Sequence, residues 1–503
     1  MMPVFTVNCK LDKPMRKIYI LLAFASVNQF VQAQLFLNFN PTNQPTNQIQ
    51  YFKPVEEDLF VGDCIPFSHN GVFYLYWLID KGHHTALNGL GGHQWALSTT
   101  TDLINWKHYP IALGIDEEWE KSICTGSVIY ANNLFYAFYA TRLLKDGKTQ
   151  EQLSYAISKD GIKYVKQKPN PFFTAPDGYI PSQFRDPKII ADKDGYHLFI
   201  SSFKTDPEID RYGGCLAHLF STDLKNWSVK EPVLTGQRGT PECSDYFYWN
   251  GWYYLIYSSG GTHYVKSRNP FGPWEYPRYQ ALKVPFNNVA KTAEFKNGRR
   301  ISVAWIPSRE DNKDNGRERF GGNIVLRELV QEDDGTLATK FAPELIPECS
   351  ARLDLSITFD NKSSSGNSEN LQIKSPNGIG SAHFMKIPDN CRITLEIEPV
   401  GNDEEYGIYL RTNDSAIGGY RLNFSPNQET VQLGNLSIES VAGLGKNLFV
   451  DIILKGDIID VCVDNKRCIS NRGPEQKGNQ LWFYAKQGTV NFKTISICEL
   501  KEK

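Results

Sequence analysis

The 503-residue sequence lacks any marked excess of charge, because 54 Lys and Arg face 56 Asp and Glu and leave a formal net charge of −2. Nucleic acids and anionic membranes attract basic surfaces, so this balance gives no reason to expect either as a partner. The chain also lacks G-x-S-x-G, H-E-x-x-H and P-loop patterns, which argues against serine-hydrolase, zinc-protease and nucleotide sites. The pair His83-His84 is too short a motif to indicate a metal, and we expect a loop there. Neither a metal nor a cofactor is expected.

Cysteine pairs with metal-binding or redox spacing are missing as well. The ten cysteines contain no C-x-x-C pair, so neither a zinc site nor a thioredoxin-like motif is indicated. Cys462 and Cys468 flank a predicted hairpin turn and are candidates for a disulfide in an oxidising compartment. The other cysteines are expected to be small buried hydrophobic residues.

Long apolar runs are absent apart from a short one near the N-terminus. Arg16-Lys17 precede the apolar run from Ile18 to Ser26, and Val31-Gln32-Ala33 places small residues where a signal peptidase cleaves. We therefore expect a leader over residues 1–33, with Met15 as a candidate start, and a secreted or periplasmic protein. The run is shorter than the roughly 20 residues of a membrane-spanning helix, so no membrane span is expected.

Aromatic residues, in contrast, make up 13% of the chain and form a repeat. A Gly or Asn followed by aromatic and aliphatic residues occurs at successive intervals of 62, 62, 56 and 47 residues, starting at Gly71, Asn133, Gly195, Gly251 and Gly298. Each copy is too small to bury its own apolar face. Strands at this density, without helical periodicity, predict an all-β fold in which residues 34–345 form a five-bladed β-propeller.

A second domain is predicted after the segment Pro343–Pro347. The aromatic repeat ends there, and short strands with polar turns continue to the C-terminus. This pattern favours an antiparallel β-sandwich over residues 348–503. It contains no carboxylate pair or metal-ligand spacing, so we expect a structural or accessory role; the oligomeric state stays open.

Three acidic residues stand at nearly the same place relative to the repeat. Asp63, Asp186 and Glu242 lie eight or nine residues before the repeat start that follows each of them. The first residues of the innermost strands of a propeller face one mouth of its channel, so these side chains are predicted to meet. A single acid of this kind is more often a strand or turn cap, but three in register favour a functional site.

Crowded carboxylates suit a particular chemistry. A like charge and desolvation raise the pKa of the most crowded member, so that one group stays protonated while another is an anion. Cleavage of a glycosidic bond needs this combination. In the second blade the small segment Cys124–Ser127 holds the equivalent place and leaves room for a ligand. A carbohydrate is therefore the expected partner.

Three short motifs follow one another along the chain: Thr125-Gly126-Ser127, Arg185-Asp186-Pro187 and Glu242-Cys243. In this order they resemble the S-G-S, R-D-P and E-C segments of glycoside hydrolase family 32, the family of invertases, levanases and inulinases. The resemblance covers residues 60 to 345 and implies retaining hydrolysis of a β-fructofuranosyl linkage in sucrose, a fructo-oligosaccharide or a fructan.

The resemblance also implies a role for each acid. Asp63 would be the nucleophile, Glu242 the general acid/base, and Asp186 the residue that binds fructosyl hydroxyl groups in the transition state. Arg185 would add hydrogen bonds to the same ring and lower the pKa of its carboxylate neighbours.

The first motif departs from the family pattern. The usual W-M-N-D-P-N-G is Phe60–Pro66 here, which keeps Asp63 but loses both Asn residues, and the usual W-G-H-A is His93–Ala96. The precise substrate therefore stays open. Besides Arg185, the candidate substrate contacts are Thr125, Ser127, Cys243 and the aromatic residues Phe67, Trp77, Trp95, Phe184 and Tyr246, although core packing is the commoner role of a strand aromatic.

Three alternatives are kept. An inverting hydrolase of arabinan or xylan type would place three carboxylates on the same propeller, and sequence does not give the carboxylate spacing that separates the two mechanisms. A carbohydrate-binding propeller without catalysis is the second, because fold alone does not prove chemistry. A glycosyltransferase differs only in the acceptor that meets the intermediate.

Overall fold

The computed structural model describes residues 39–280, 282–401, 405–413 and 418–501, and the predicted leader lies outside them. Nearly all regular structure in these ranges is antiparallel β-sheet. Short helical turns occur at Pro41–Asn43, Ala86–Gly89, Pro181–Gln183, Lys296–Gly298, Glu310–Asn312, Pro343–Leu345 and Pro426–Gln428. In the part of the chain that is described, no helix is long and apolar enough to cross a membrane.

Residues 59 to 340 form five antiparallel meanders, numbered here in chain order. The first contains β1 (Leu59–His69), β2 (Val72–Lys81), β3 (Gln94–Thr100) and β4 (Lys107–Leu113); the second contains β5 (Ser122–Ala131), β6 (Leu134–Lys145), β7 (Lys148–Ser158) and β8 (Val165–Lys166). The third contains β9 (Arg185–Ala191), β10 (Tyr196–Phe203), β11 (Gly214–Ser221) and β12 (Ser228–Gln237). The fourth contains β13 (Glu242–Trp249), β14 (Trp252–Ser258) and β15 (Thr262–Ser267), and the fifth β16 (Asn288–Glu294), β17 (Arg300–Arg309), β18 (Glu318–Gln331) and β19 (Leu337–Lys340).

The first strands of the meanders surround a central channel. Each contacts the first strand of the next meander, in the closed order β1, β5, β9, β13, β16 and back to β1. One residue pair, Val61 with Gly322, also joins the fifth meander to the first in a single sheet. The predicted all-β propeller architecture is therefore confirmed, and the aromatic repeat forms the second strand of each meander.

The C-terminal domain is a second antiparallel β-structure, as predicted. Its strands are β20 (Cys349–Arg352), β21 (Ile357–Phe359), β22 (Ser365–Gly366), β23 (Leu371–Phe384), β24 (Cys391–Pro399), β25 (Glu405–Thr412), β26 (Tyr420–Ser425), β27 (Thr430–Leu433), β28 (Leu436–Ile438), β29 (Leu448–Lys455), β30 (Ile458–Val463), β31 (Arg467–Arg472) and β32 (Gln480–Leu500). The long strand β32 pairs with β20, β23, β24 and β25 along its length. It thereby joins the sheet segments that enclose a core of Leu, Ile, Val and Phe.

The cysteines differ in part from expectation. Cys349 and Cys498 form a disulfide that ties β20 to β32, although no pairing was predicted for them. Cys462 and Cys468 face each other across β30 and β31 but are free thiols, so the candidate disulfide is not present. The thiol of Cys468 instead donates to the carbonyl oxygen of Thr339 in the propeller. The other free cysteines of the described ranges are buried, as predicted.

The two domains meet through a buried polar contact. Arg327 of β18 donates to Oδ1 of Asp460 in β30 at 2.5 Å, and the hydroxyl of Tyr51 donates to Oδ2 of the same carboxylate at 2.7 Å. Both charged side chains are almost completely buried. Apolar residues of β17, β18, β29 and β30 surround them, so the C-terminal domain is packed against the fifth meander.

Candidate active site

The first strand of each meander carries a β-bulge near the same end of the channel. Two consecutive residues face a single residue of the second strand at Gly62-Asp63, Cys124-Thr125, Asp186-Pro187, Cys243-Ser244 and Val289-Ala290. A bulge interrupts the alternation of a strand and re-aims side chains. The propeller repeat therefore turns five short backbone segments toward one mouth of the channel.

The three predicted acids lie at this mouth but at different positions of the bulge. Asp63 is the second bulge residue of β1, Asp186 is the first of β9, and Glu242 directly precedes the bulge of β13. All three line one cavity of about 660 Å³, together with Arg185, Thr125 and Cys243. The expected convergence is thus present, although the three residues do not occupy one equivalent position.

Asp63 is buried and held from three other meanders. Nε1–H of Trp305 donates to its Oδ1 at 3.0 Å, and the hydroxyl of Thr125 donates to its Oδ2 at 2.6 Å. The thiol of Cys243 lies 3.5 Å from the same Oδ2. These donors fix the direction of the carboxylate.

Asp186 is the most enclosed acid. Its Oδ2 accepts a hydrogen bond from the backbone N–H of Cys243 at 3.1 Å and lies 3.7 Å from Nε of Arg185. Burial is the main cause that raises the pKa of Asp186 to about 7; Arg185 opposes the increase, and the charges of Glu242, Glu151 and Asp63 add to it. Asp186 and Cys243 also have φ values of 53° and 52°, a left-handed conformation that is costly for residues other than glycine.

Glu242 is different because its side chain is 47% exposed. Nη2 of Arg185 donates to its Oε1 at 2.5 Å, while Nη1 of the same guanidinium donates to Glu151 at 3.3 Å. Arg142 makes two further hydrogen bonds to Glu151. Glu151 and Arg142 were not among the predicted site residues, because they lie on β7 and β6, whereas the repeat points only to the start of each first strand.

Three of the aromatic candidates are core residues. Trp77, Trp95 and Phe184 are each 0% exposed, so none offers a ring face to a sugar. Nε1–H of Trp77 donates to Ser98, and that of Trp95 to the carbonyl oxygen of Cys124. Their predicted role in substrate binding is therefore wrong.

Three other candidates lie at the opposite mouth of the channel. Phe67, Ser127 and Tyr246 line a second cavity of about 730 Å³. Phe67 and Tyr246 each follow a predicted acid by four residues on the same strand, which corresponds to about 13 Å at 3.3 Å per residue. Ser127 donates to the carbonyl oxygen of Pro187 and accepts from the N–H of Ile189, which ties β5 to β9. None of the three lines the cavity of the acids, so these predictions are also wrong.

The aromatic residues that do line the acid cavity are Trp305, Phe320 and Phe286. A Cβ atom on Gly62 would lie 2.8 Å from the ring of Phe320, so glycine at this position makes room for the ring. Gly62 stands where the family resemblance places an Asn. The loss of this Asn from the first motif is therefore the feature of the sequence that could have indicated a different side chain in the cavity.

The histidines of the turn after β2 also reach this cavity. The loop position predicted for His83-His84 is correct, since both residues lie in a turn. His84 and His93 line the cavity wall, and burial lowers the pKa of His84 to about 4, with His93 and Arg142 adding to the decrease. Potential metal-ligand atoms of Asp80, His84 and His93 lie within 4.8 Å of one another, a grouping that the sequence did not indicate.

Known proteins resemble this chain in sequence. It is 28% identical over 293 residues to sucrose-6-phosphate hydrolase of Escherichia coli, a match that covers 52% of this chain and 60% of the relative. It is 25% identical over 285 residues to raffinose invertase of Escherichia coli, covering 51% and 58%. The chain thus matches about three fifths of the length of these curated relatives.

Solved structures share the fold over more than nine tenths of the chain. Fructan 1-exohydrolase IIa of Cichorium intybus has a TM-score of 0.69 at 17% identity, over 91% of this chain and 98% of the other. A family 32 β-fructofuranosidase of Bombyx mori has a TM-score of 0.67 at 17% identity, over 96% and 98%. At this identity the likeness establishes the fold alone.

The family itself follows from a match to a family model. The model of the glycosyl hydrolases family 32 N-terminal domain matches residues 65–340, which is more than half of the chain. The matched range begins just after Asp63 and contains Asp186 and Glu242. The resemblance inferred from the motifs is therefore confirmed: this chain belongs to glycosyl hydrolase family 32.

Proposed function

We propose that the protein hydrolyses β-fructofuranosyl linkages with retention of configuration. The observation that carries this proposal is the pair Asp63 and Glu242 in one cavity but in opposite surroundings. Asp63 is buried and oriented by Trp305, Thr125 and Cys243, whereas Glu242 is half-exposed and held by Arg185. The first environment suits a fixed nucleophile, and the second suits a group that exchanges protons with water.

In the first step, a carboxylate oxygen of Asp63 attacks the anomeric carbon of the fructosyl unit. The bond to the glycosidic oxygen breaks while Glu242 gives this oxygen its proton, so that the leaving alcohol departs neutral. In the second step Glu242 takes a proton from water, and the hydroxide oxygen displaces Asp63 from the same carbon. Because Arg185 holds Oε1 of Glu242, we assign the proton transfers to Oε2.

Asp186 is proposed to bind the sugar rather than to react. Its Oδ2 is occupied by the N–H of Cys243, which leaves Oδ1 for fructosyl hydroxyl groups. Arg185 would contact the same ring, and Thr125 and Cys243 would act through Asp63. Phe320, the partly exposed one of the three aromatic residues that line the cavity, supplies a ring surface for an apolar face of the substrate.

The substrate class is sucrose, a fructo-oligosaccharide or a fructan. The names of the relatives, a sucrose-6-phosphate hydrolase, a raffinose invertase and a fructan exohydrolase, support fructosides as a class. Lys283 and Arg319 line the same cavity, so a phosphorylated sugar belongs in the test. No observation favours arabinan or xylan over a fructoside.

We also propose that the protein is secreted or periplasmic. The predicted leader supports this, and so does the disulfide between Cys349 and Cys498, since such bonds persist in oxidising compartments. The N-terminal sequence of the exported protein should begin at Gln34. Accumulation of the full-length chain in the cytoplasm would contradict the proposal.

The deciding experiment is a substrate panel with chromatographic identification of the products. It should contain sucrose, sucrose 6-phosphate, raffinose, inulin, levan, arabinan and xylan. Release of fructose, with the first-formed anomer seen by NMR as the retained one, supports the proposal. Release of arabinose or xylose would favour the inverting alternative, transfer of fructose to sugars would favour a transferase, and binding without turnover would favour a binding propeller.

A further inference from the structure

Three potential metal ligands form a group in the cavity wall, apart from the three acids. Asp80 is near the end of β2, His84 lies in the following turn and His93 directly precedes β3. One ligand atom of each lies within 4.8 Å of the other two, and Asp80 and His93 are buried. The side chains thus come from one continuous stretch that the first meander folds back on itself.

Two of the potential ligand atoms have no partner. Oδ2 of Asp80 and Nδ1 of His84 are both buried without a hydrogen bond, and a buried polar atom without a partner costs about 1–3 kcal/mol. Asp80 is 0% exposed, and in the ion pairs of the described ranges its partner is His93. Within the described ranges no Lys or Arg forms an ion pair with this buried carboxylate, so a cation could take that place.

Each ring nitrogen of His93 faces an oxygen atom, as is usual for a histidine that binds a metal. Its Nε2 faces Asp80 Oδ1 at 3.1 Å, and its Nδ1 lies 3.0 Å from the hydroxyl of Ser122. A histidine that binds a metal through one ring nitrogen usually donates from the other to an oxygen, which fixes the ring. Ser122 can accept such a bond once Nε2 gives up its proton to Nδ1.

His84 requires a change of tautomer. Its Nε2 accepts a hydrogen bond from Nη1 of Arg142 at 2.8 Å, so the proton of the neutral ring is on Nδ1. Metal binding at Nδ1 moves this proton to Nε2 and ends the contact with Arg142. Arg142 keeps its hydrogen bonds to Leu90 and Glu151. Each tautomer change moves a proton between the two nitrogens of one ring and releases none.

We propose that Asp80, His84 and His93 bind one divalent transition-metal ion through Oδ2, Nδ1 and Nε2. Two imidazoles and one carboxylate are a donor set that suits Zn²⁺ better than Mg²⁺ or Ca²⁺. Since His84 and His93 line the cavity, an open coordination position would face a bound ligand. The site goes beyond the proposed hydrolysis and does not depend on it.

The test uses the full protein after treatment with a chelator. Calorimetric titration with Zn²⁺ should show one equivalent bound, Mg²⁺ should not compete, and Co²⁺ should give the visible absorption of a site with nitrogen ligands. His84→Asn should weaken Zn²⁺ binding at least about 100-fold, since even outer-shell changes cost about 10- to 100-fold. Asn is a suitable replacement because it tolerates the positive φ of 68° at His84.

The matched control is His83→Asn, at the neighbouring residue with a φ of 58° that is not part of the group. It should bind Zn²⁺ like the wild type, and circular dichroism should show both variants folded. Failure of the wild type to bind Zn²⁺ or Co²⁺ near stoichiometry would overturn the proposal, whatever the variants do. Equal binding by wild type and His84→Asn would overturn it as well.

Discussion

Nη2 of Arg185 lies 2.5 Å from Oε1 of Glu242, and the two residues hold the same position on neighbouring first strands. Arg185 pairs with Ser201 and Glu242 with Ser258, in each case directly before the bulge of the strand. The propeller repeat thus places a cation and an anion side by side at the cavity. This relationship gives the candidate site its charge balance, because the same guanidinium also faces Asp186 and Glu151.

Removing either proposed reacting carboxylate should abolish most of the turnover. Glu242→Gln and Asp63→Asn should each lower kcat by about 10³-fold or more, because proton transfer and covalent attack are lost. Steady-state kinetics on sucrose or inulin measure this, with thermal unfolding to show that the fold is kept. Glu294→Gln is the control, since Glu294 lines the opposite mouth and should leave kcat unchanged. Full activity in Asp63→Asn would remove the assignment of the nucleophile.

Replacing Arg185 should shift the pH dependence of activity. A cation lowers the pKa of neighbouring carboxyl groups, and Arg185 lies within 4.0 Å of Glu242, Glu151 and Asp186. In Arg185→Met the carboxyl group of Asp186 should need a higher pH to ionise, because Arg185 acts to lower its pKa, so the acid limb of the kcat/KM profile should move to higher pH. Arg185→Lys should show a smaller displacement, because it keeps the charge but not the planar fork. Superimposable profiles for the three proteins would contradict this role.

Asp186 should make the protein less stable as the pH rises. Its pKa in the folded protein is raised from 3.8 to about 7, so between these values the folded state binds the proton more tightly than the unfolded state does. Its contribution to stability is complete below about pH 4 and is lost as the pH rises toward 7. The stability of the wild type relative to Asp186→Asn should therefore fall across this window, by at most about 1.4 kcal/mol per pH unit.

Urea unfolding of both proteins at pH 4.5, 5.5, 6.5 and 7.5 measures the difference. The difference between the two free energies of unfolding removes the effect of the other acidic residues, because these titrate in both proteins. If the wild type does not lose stability relative to Asp186→Asn as the pH rises from 4.5 to 7.5, Asp186 is ionised in the folded protein throughout this range, and the prediction is wrong.

Two aromatic substitutions should separate core packing from substrate binding. Trp77→Phe removes the hydrogen bond to Ser98 and part of a fully buried ring, so it should cost about 1–3 kcal/mol of stability with KM unchanged. Phe320→Leu removes a ring that lines the cavity, so it should raise KM about 3- to 10-fold. Chemical unfolding and steady-state kinetics measure the two effects. A raised KM in Trp77→Phe would restore it as a substrate contact.

The architecture could be predicted because the repeat is local. A turn residue followed by an aromatic strand is visible at each of the five starts, and the acids stand at nearly constant distances before three of them. The bulges were not predictable in this way, since the extra residue depends on how the first strand pairs with the second. That is why the three acids prove to be offset from one another by one or two residues.

The errors in the candidate site have a related cause. Alternation along a strand tells which residues share a face, but not which mouth of the channel they reach, so it does not show that Phe67 and Tyr246 lie at the mouth opposite the acids. Trp305 and Phe320 could not be found from the first strands because they come from β17 and β18. Contacts between distant strands, such as Trp305 with Asp63, depend on closure of the ring.

The buried ion pair between the domains should couple their unfolding. Arg327→Met leaves Asp460 buried at 0% exposure with the hydroxyls of Tyr51 and Ser470 as hydrogen-bond donors, and removing one partner of such a pair costs about 3–5 kcal/mol. This loss of stability weakens the contact between β18 and β30, which joins the two domains. Calorimetry should therefore resolve two unfolding transitions in place of one. Arg317→Met, which breaks an exposed pair with Glu310, should leave the melting curve unchanged.

The double variant Arg327→Met with Asp460→Leu distinguishes pairing from packing. If the cost of the single variant comes from the unpaired carboxylate, removing that carboxylate should recover much of the lost stability, since apolar replacements of buried pairs are often tolerated. If it comes from loss of the Arg327 stem against Phe341, whose ring centroid lies 5.0 Å from the guanidinium, the double variant should be no more stable than Arg327→Met. Recovery would therefore show that the domain junction depends on charge compensation at Asp460, and its absence that it depends on the shape of the apolar surface around it.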